Sequence, residues 1–218
     1  MNNLTVIWDW NGTLLDDVTL NCDIMNRMLR KRGKPPVSSL EAYRQIFGFP
    51  IKRYYERAGF DFTKEDYETV ANEYMALYRH DSMACKLYPG VEKTLSKLRQ
   101  DGVQQVILSA SQKDCLTEQI THLGVGYFFD QVLALDHCLA HGKAELAEAW
   151  MEKNGLSGEN LFFVGDTLHD YEVSRCLGAH CLLVAAGHQD KERLLICGCP
   201  VTDDIGETVQ WIKNILAD

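Results

Sequence analysis

Several features that define other protein classes are missing from this sequence of 218 residues. Its eight cysteines include no Cys-X-X-Cys pair and are too sparse for a disulfide scaffold, which also argues against a zinc knuckle. The start of the chain, residues 1–4, has no basic region and no long apolar stretch, so we predict neither a signal peptide nor a membrane partner. Repeats and low-complexity segments are also missing. These absences favour a cytoplasmic globular protein with buried thiols.

Positive charge is scarce, because 22 Lys and Arg residues face 31 Asp and Glu residues, for a net charge of −9. An acidic chain repels phosphate backbones, so we do not expect a nucleic acid as partner. The same charge would repel a free phosphate ester, and any phosphate site must therefore be a local site of positive charge, such as a bound metal. Hydrophobic residues at 46% and charged residues at 24% are typical of a globular chain and exclude disordered, collagen-like and coiled-coil proteins.

The hydrophobic pattern predicts an α/β fold with a doubly wound parallel sheet. A buried strand at residues 4–8 is followed by almost a hundred residues with helical spacing, after which strands and helices alternate from Pro89 onward. Such alternation is typical of a parallel sheet with helices on both faces. We therefore assign residues 1–15 and 88–218 to one core domain and residues 16–87 to a helical insertion.

Residues able to perform phosphoryl transfer follow the predicted strands. Parallel α/β sheets bind ligands outside the carboxyl ends of their strands. There a carboxylate would attack phosphorus, Mg²⁺ would take oxygen ligands, and a lysine would neutralise charge. The candidate residues at these ends are Asp9, Asn11, Ser109, Lys143, Asp166 and Asp170.

The combined pattern resembles the four motifs of the haloacid dehalogenase superfamily. The first motif is Asp9-Trp10-Asn11-Gly12-Thr13-Leu14, and the fourth is the segment of residues 165–170, Gly-Asp-Thr-Leu-His-Asp. Ser109 and Lys143 correspond to the second and third motifs. The insertion resembles the helical C1 cap of that superfamily, and residues 203–206 before the last helix resemble its phosphoglycolate phosphatase branch.

This resemblance implies a Mg²⁺-dependent phosphatase acting on a small phosphorylated metabolite, with a Rossmann-like core, as a monomer or homodimer. Asp9 would be the nucleophile, supported by Asn11 and Lys143 as further catalytic residues. The implied metal ligands are Asp9, Asn11 through its backbone carbonyl, Asp166 and Asp170. The implied substrate contacts are Gly12, Ser109, Ala110 and two cap residues, Lys52 and Arg53.

Asn11 departs from the pattern of the phosphatases in this superfamily, which usually carry a second Asp two residues after the nucleophile. That Asp protonates the leaving alcohol and then activates water, whereas an amide cannot exchange a proton at neutral pH. General acid–base help is typically worth about 10²–10⁴ in rate. Three consequences stay open: a substrate with a good leaving group such as an anhydride, acyl or aryl phosphate, another proton donor, or a slow or absent phosphatase activity.

The cap and Asn11 each raise an alternative function. Lys52 lies in a segment, residues 48–53, that resembles the substrate loop of C1 caps. Phosphonoacetaldehyde hydrolases of this superfamily also lack the second Asp and use a cap lysine as a Schiff base, which Lys52 would supply. A non-catalytic phosphate-binding or regulatory protein is the other alternative. Asp16 and Asp17, where the chain leaves the core, are interpreted as a solvated hinge.

Overall fold

The computed structural model describes residues 4–135 and 142–217. The strands are β1 (Thr5–Trp8), β2 (Leu15–Asp16), β3 (Lys86–Leu87), β4 (Gln104–Gln112), β5 (Gln131–Leu135), β6 (Leu161–Gly165), β7 (His180–Val184) and β8 (Val201–Thr202). The helices are α1 (Val18–Lys31), α2 (Leu40–Ile46), α3 (Ile51–Ala58), α4 (Tyr67–Asp81), α5 (Val91–Gln100), α6 (Lys113–Leu123), α7 (Lys143–Asn154), α8 (Leu168–Cys176), α9 (Lys191–Leu195) and α10 (Thr208–Ala217).

The core is a parallel sheet of six strands in the order β5-β4-β1-β6-β7-β8. β1 lies in the interior of the sheet with all four residues buried, pairing with β4 on one side and β6 on the other. This explains why its sequence is a short continuous apolar run rather than an alternating one. The predicted α/β fold is confirmed.

Helices cover both faces of the sheet, as the alternation of side chains along β1 shows. Val6 and Trp8 pack into one apolar cluster with residues of α5, α6 and α10. Ile7 points to the opposite face and packs with Ala147 and Trp150 of α7 and with residues of α8. Because strand side chains alternate with a period of two, a single buried strand serves both layers.

Helices α1–α4 pack around a separate apolar cluster that is rich in aromatic rings. The two chain segments that connect this helical part to the sheet pair with each other, since β2 and β3 form an antiparallel ladder. The exact domain boundaries, with residues 1–15 and 88–218 in the core domain and residues 16–87 in the helical insertion, stay a prediction. No helix in the two described ranges is both long and apolar enough to cross a bilayer.

Two arginines join the helical part to the loop after β7. Arg44 of α2 donates to the carbonyl oxygens of Ala186 and Gly187, each over 2.9 Å. Arg193 donates back to the carbonyls of Arg44, at 3.2 Å, and Phe47, at 2.5 Å. Charged donors on carbonyl acceptors are among the stronger hydrogen bonds, so these contacts hold α2 against the edge of the sheet where the candidate site lies.

Candidate active site

The register of the sheet brings the predicted residues together. Trp8 is level with Ile107 of β4 and with Val164 of β6, so the residues that follow these three positions lie side by side. The Asp9 backbone N–H donates to the Val164 carbonyl over 2.9 Å. Ser109, in the last part of β4, and Asp166, directly after β6, are both buried, as expected at the carboxyl edge of a doubly wound sheet.

Lys143 bridges two of the acidic residues. Its Nζ lies 2.6 Å from Asp9 Oδ1 and 2.6 Å from Asp170 Oδ1, and all three side chains are buried. Burial alone would lower the pKa of Lys143, but the two carboxylates raise it above its usual value. Burial raises the pKa of Asp9 to about 6, although Lys143 opposes this shift, so Asp9 is mostly ionised at neutral pH.

Asp166 is also buried, but in the described residues it has no lysine partner of the kind that Asp9 and Asp170 share. In residues 4–135 and 142–217, none of the ion pairs includes Asp166, which accepts from the His188 backbone N–H at 2.6 Å and from Thr13 Oγ1 at 3.1 Å. Burial raises its pKa to about 8, opposed by His188 and reinforced by Asp170 and Asp9. A cation bound next to Asp166 would stabilise the ionised carboxylate and lower its pKa.

The acidic cluster has the dimensions of a metal site. One carboxylate oxygen each from Asp9, Asp166 and Asp170 lie within 4.8 Å of one another. Oxygen ligands of this kind are those that Mg²⁺ takes in proteins. A Cβ on Gly12, which has φ +74°, would come within 3.0 Å of both Asp166 and His188, so glycine is required there for close approach.

A second buried network, which the sequence analysis missed, lies next to this cluster. Asp17 is 1% exposed and lies 3.4 Å from His188 Nε2; it also accepts from Asn21 Nδ2 at 2.8 Å and from Tyr78 at 2.7 Å. Burial opposes its ionisation, but His188 and the hydrogen bonds lower its pKa. The interpretation of Asp17 as solvated is therefore wrong, whereas Asp16 is exposed.

The Asn11 side chain is fully engaged in this network. Its amide N–H groups donate to Asp17 Oδ2, over 2.8 Å, and to the Tyr78 hydroxyl, while its Oδ1 accepts from Ser111 Oγ. The Gly12 N–H, expected to contact phosphate, already donates to Asp17 Oδ1 at 2.9 Å. The expected phosphate contact of Gly12 therefore stays a prediction.

Comparison with known proteins decides the family. The model of the family described as haloacid dehalogenase-like hydrolase matches residues 6–184. The chain belongs to the haloacid dehalogenase-like hydrolase family. The predicted family membership and the prediction of a hydrolase are thereby confirmed.

Relatives of this hydrolase include a phosphoglycolate phosphatase of Pseudomonas putida, 28% identical over 84% of this chain and 70% of that protein. Phosphoglycolate phosphatase 1 of Pseudomonas aeruginosa is 25% identical over the same shares. Among solved structures, a predicted phosphatase from Clostridium acetobutylicum superposes with a TM-score of 0.82 at 19% identity, covering 98% of this chain and 100% of that one. That likeness shows the shared fold.

The remaining predicted substrate residues fall in two groups. Ser109 and Ala110 line the cavity above the acidic cluster. Lys52 and Arg53 are not among the lining residues that the structure describes: the Lys52 ammonium lies 5.6 Å from the centre of the Phe62 ring, and Arg53 pairs with Glu56 at 2.9 Å. The structure thus places these two cations on the outside of the helical part of this hydrolase.

Replacing Asn11 by Asp is expected to destabilise the protein. Asn11→Asp would remove the donor that Asp17 Oδ2 accepts at 2.8 Å and would place two carboxylates in contact, at a cost of roughly 1–3 kcal/mol. Urea unfolding of Asn11→Asp and of a matched control, Asn72→Asp on the exposed face of α4, measures the difference. Equal stability of the two variants would contradict the hydrogen-bond assignment of the Asn11 amide.

Proposed function

We propose that this protein is a phosphatase that hydrolyses the phosphate monoester of a small metabolite through an aspartyl-phosphate on Asp9. The observation that carries the proposal is the meeting of Asp9, Lys143, Asp166 and Asp170 at one edge of the sheet, at the floor of a cavity. The relatives named phosphoglycolate phosphatase support the choice of phosphate esters within the family.

Two neighbours orient the Asp9 carboxylate. Its Oδ1 accepts from Lys143 and its Oδ2 is 3.4 Å from Thr13 Oγ1, so the carboxylate is oriented and cannot rotate freely. In the first step an oxygen of Asp9 would bond to phosphorus and the ester oxygen would leave. Lys143 and the Ser109 hydroxyl would stabilise charge on the transferred group. Water would then release inorganic phosphate and restore the carboxylate.

The same residues fit a divalent cation. Asp166 in particular is a buried carboxylate among other acids, without a lysine or arginine partner in the described ranges. We propose Mg²⁺ held by Asp9, Asp166 and Asp170, with the Asn11 carbonyl as the further ligand implied by the family resemblance. When bound, Mg²⁺ would reduce the repulsion between the carboxylate nucleophile and the anionic ester.

A measurable consequence is stabilisation by Mg²⁺. At a concentration about 100 times its Kd, a bound ion adds about 2.7 kcal/mol to the free energy of unfolding, or roughly 5–10 °C in Tm for a chain of this size. We expect this shift in the native protein, and none in Asp166→Asn. The exposed substitution Asp23→Asn is the control and should retain the full shift. A full shift in Asp166→Asn would place the ion elsewhere.

The alternative functions receive less support. A phosphonoacetaldehyde hydrolase would need the Lys52 amine in the cavity, whereas that amine lies over the Phe62 and Tyr67 rings. A phosphate-binding protein without activity stays open to test. The deciding experiment is phosphate release from a panel of esters with Mg²⁺, in the native protein and in Asp9→Asn; release that depends on Asp9 supports the phosphatase.

The cytoplasmic location and the oligomeric state, monomer or homodimer, stay predictions.

A further inference from the structure

The cavity above Asp9 has two chemically different ends. The floor carries the acidic cluster and Lys143, and most of the remaining lining comes from side chains of the helical part, with residues of β4 and α6 on the other side. The phenylalanines and tyrosines of that wall are Phe47, Phe49, Tyr54, Tyr55, Tyr67, Tyr74 and Tyr78. The cavity volume is about 160 Å³, close to the roughly 150 Å³ of an apolar protein cavity that admits benzene. This volume includes the space above the acidic cluster, so it limits the substrate to a small molecule, and the aromatic lining suits a single ring.

Among the described residues, the cationic side chains that line the cavity are already paired with carboxylates of the protein, and His188 is paired with Asp17. Lys143 is the sole lysine or arginine that lines the cavity within residues 4–135 and 142–217, and it is already paired with Asp9 and Asp170. The nearby Arg44 and Arg193 are occupied by backbone carbonyls. An anionic group buried against this wall would lose its hydration without gaining a free lysine or arginine as partner, which is costly.

The tyrosines of the wall are neutral as well. Burial raises the pKa values of Tyr54, Tyr74 and Tyr78 well above that of free tyrosine. Their rings therefore present uncharged, largely apolar surface, which stacks favourably against another aromatic ring. A carboxylate such as that of phosphoglycolate does not fit this surface.

The floor of the cavity also limits the leaving group. Asn11 cannot donate a proton as an acid, and its amide is held by Asp17, Tyr78 and Ser111. An alkyl alkoxide leaves poorly without protonation, whereas a phenolate, with a conjugate acid of pKa about 10, leaves as the anion. The aromatic wall and the missing acid thus favour the same kind of substrate by independent routes.

We propose that the substrate is a small aryl phosphate monoester without a carboxylate, whose ring occupies the aromatic wall. This inference rests on the proposed phosphatase activity. The Asp9 oxygen–phosphorus bond forms as the phosphorus–oxygen bond to the ring breaks, and the phenolate leaves with the electron pair and takes a proton from water. Water then attacks the aspartyl-phosphate, giving inorganic phosphate and the Asp9 carboxylate.

Three esters separate ring binding from leaving-group ability: phenyl phosphate, benzyl phosphate and 2-phosphoglycolate, each with the Mg²⁺-loaded full chain. We expect kcat/KM for phenyl phosphate to exceed that for 2-phosphoglycolate by at least about 100-fold, and benzyl phosphate to share the KM of phenyl phosphate with a kcat lower by about 10²-fold or more. Asp9-dependent turnover of 2-phosphoglycolate at an equal or higher kcat/KM would overturn the inference and leave the phosphatase proposal intact. No release from any ester would overturn the phosphatase proposal itself.

A substitution in the wall tests the charge argument directly. Met75 lines the cavity and is half-buried, whereas the adjacent Ala76 of α4 is exposed. Met75→Arg should shift the kcat/KM ratio toward 2-phosphoglycolate by about tenfold or more, and Ala76→Arg should leave the ratio unchanged. Equal ratios in both variants would contradict the inference.

Product inhibition of the native protein provides a second readout that needs no variant. Phenol should inhibit the turnover of phenyl phosphate competitively, because it would occupy the aromatic wall, and glycolate should not. Inhibition by glycolate at lower concentration than phenol would overturn the proposal even if Met75→Arg failed to fold.

Discussion

The Asp9→Asn variant is expected to lose phosphatase activity by at least about 10⁴-fold, the scale seen when a covalent nucleophile is removed. Asparagine has nearly the shape of aspartate, so the buried site next to Lys143 keeps its packing while the attacking oxygen is lost. Initial rates with phenyl phosphate and saturating Mg²⁺ measure the effect. Acid quenching followed by mass spectrometry should show a phosphoryl group on the Asp9 peptide of the native protein and none on the variant.

The control for this loss is Asp16→Asn, the same chemical change at an exposed position seven residues away. We expect it to keep native rates, since its carboxylate does not line the cavity. Thermal unfolding of Asp9→Asn shows whether the fold is retained. Activity of a folded Asp9→Asn variant within tenfold of native, or a phosphoryl group on another peptide, would rule out Asp9 as the nucleophile.

The place of the site could be predicted from the sequence because topology determines it. Once alternating strands and helices imply a parallel sheet, the carboxyl ends of the strands share one edge. Asp9 and Asp166 follow β1 and β6, and Ser109 lies in the last part of β4, the other neighbour of β1. Lys143 lies at the start of α7, the helix that follows β5 in the chain. The order of strands and helices in the sequence is therefore enough to predict that these four residues lie at one edge of the sheet.

The network around Asp17 and His188 was not predicted because the sequence pattern that points to it spans only a few residues. Asp16 and Asp17 look alike in the sequence, but the extended backbone at β2 turns successive side chains to opposite sides, so Leu15 and Asp17 are buried and Asp16 is exposed. His188 follows β7, another strand end, and the preceding Gly187 marks a close approach because a Cβ there would collide with Asp166. The alternation along residues 15–17 is the sequence signal for Asp17, and the position after a strand is the sequence signal for His188.

Contacts of the helical part could not be predicted in the same way. A cation in a cap segment, such as Lys52 or Arg53, reaches the cavity or the solvent depending on the rotation of its helix about its axis. In α3 that rotation buries Tyr54 and Tyr55 and leaves both cations exposed. Packing between helices, rather than any local pattern, decides this outcome.

Asp17→Asn is expected to destabilise the protein by about 3–5 kcal/mol, the usual cost of removing one partner from a buried ion pair. The Asp17 side chain is fully buried and the His188 side chain is 4% exposed, so solvent does not replace the lost charge. The free energy of unfolding from urea titration measures the loss. Asp16→Asn, one residue away and exposed, should change the free energy by less than about 0.5 kcal/mol.

The pH dependence of this loss identifies the pair. Despite burial, His188 and hydrogen bonds lower the Asp17 pKa below its ordinary 3.8, so the stability that Asp17 contributes is present above pH 3.8 and is lost as the pH falls through the lowered value. Burial would lower the pKa of His188, but Asp17 raises it above the ordinary 6.5, so its contribution is present below pH 6.5 and is lost as the pH rises through the raised value. The difference in the free energy of unfolding between the native protein and Asp17→Asn should therefore be largest between pH 3.8 and pH 6.5. A difference that stays constant from pH 4 to pH 9 would mean that hydrogen bonds to Asn11, Asn21 and Tyr78, rather than the charge of His188, account for the role of Asp17.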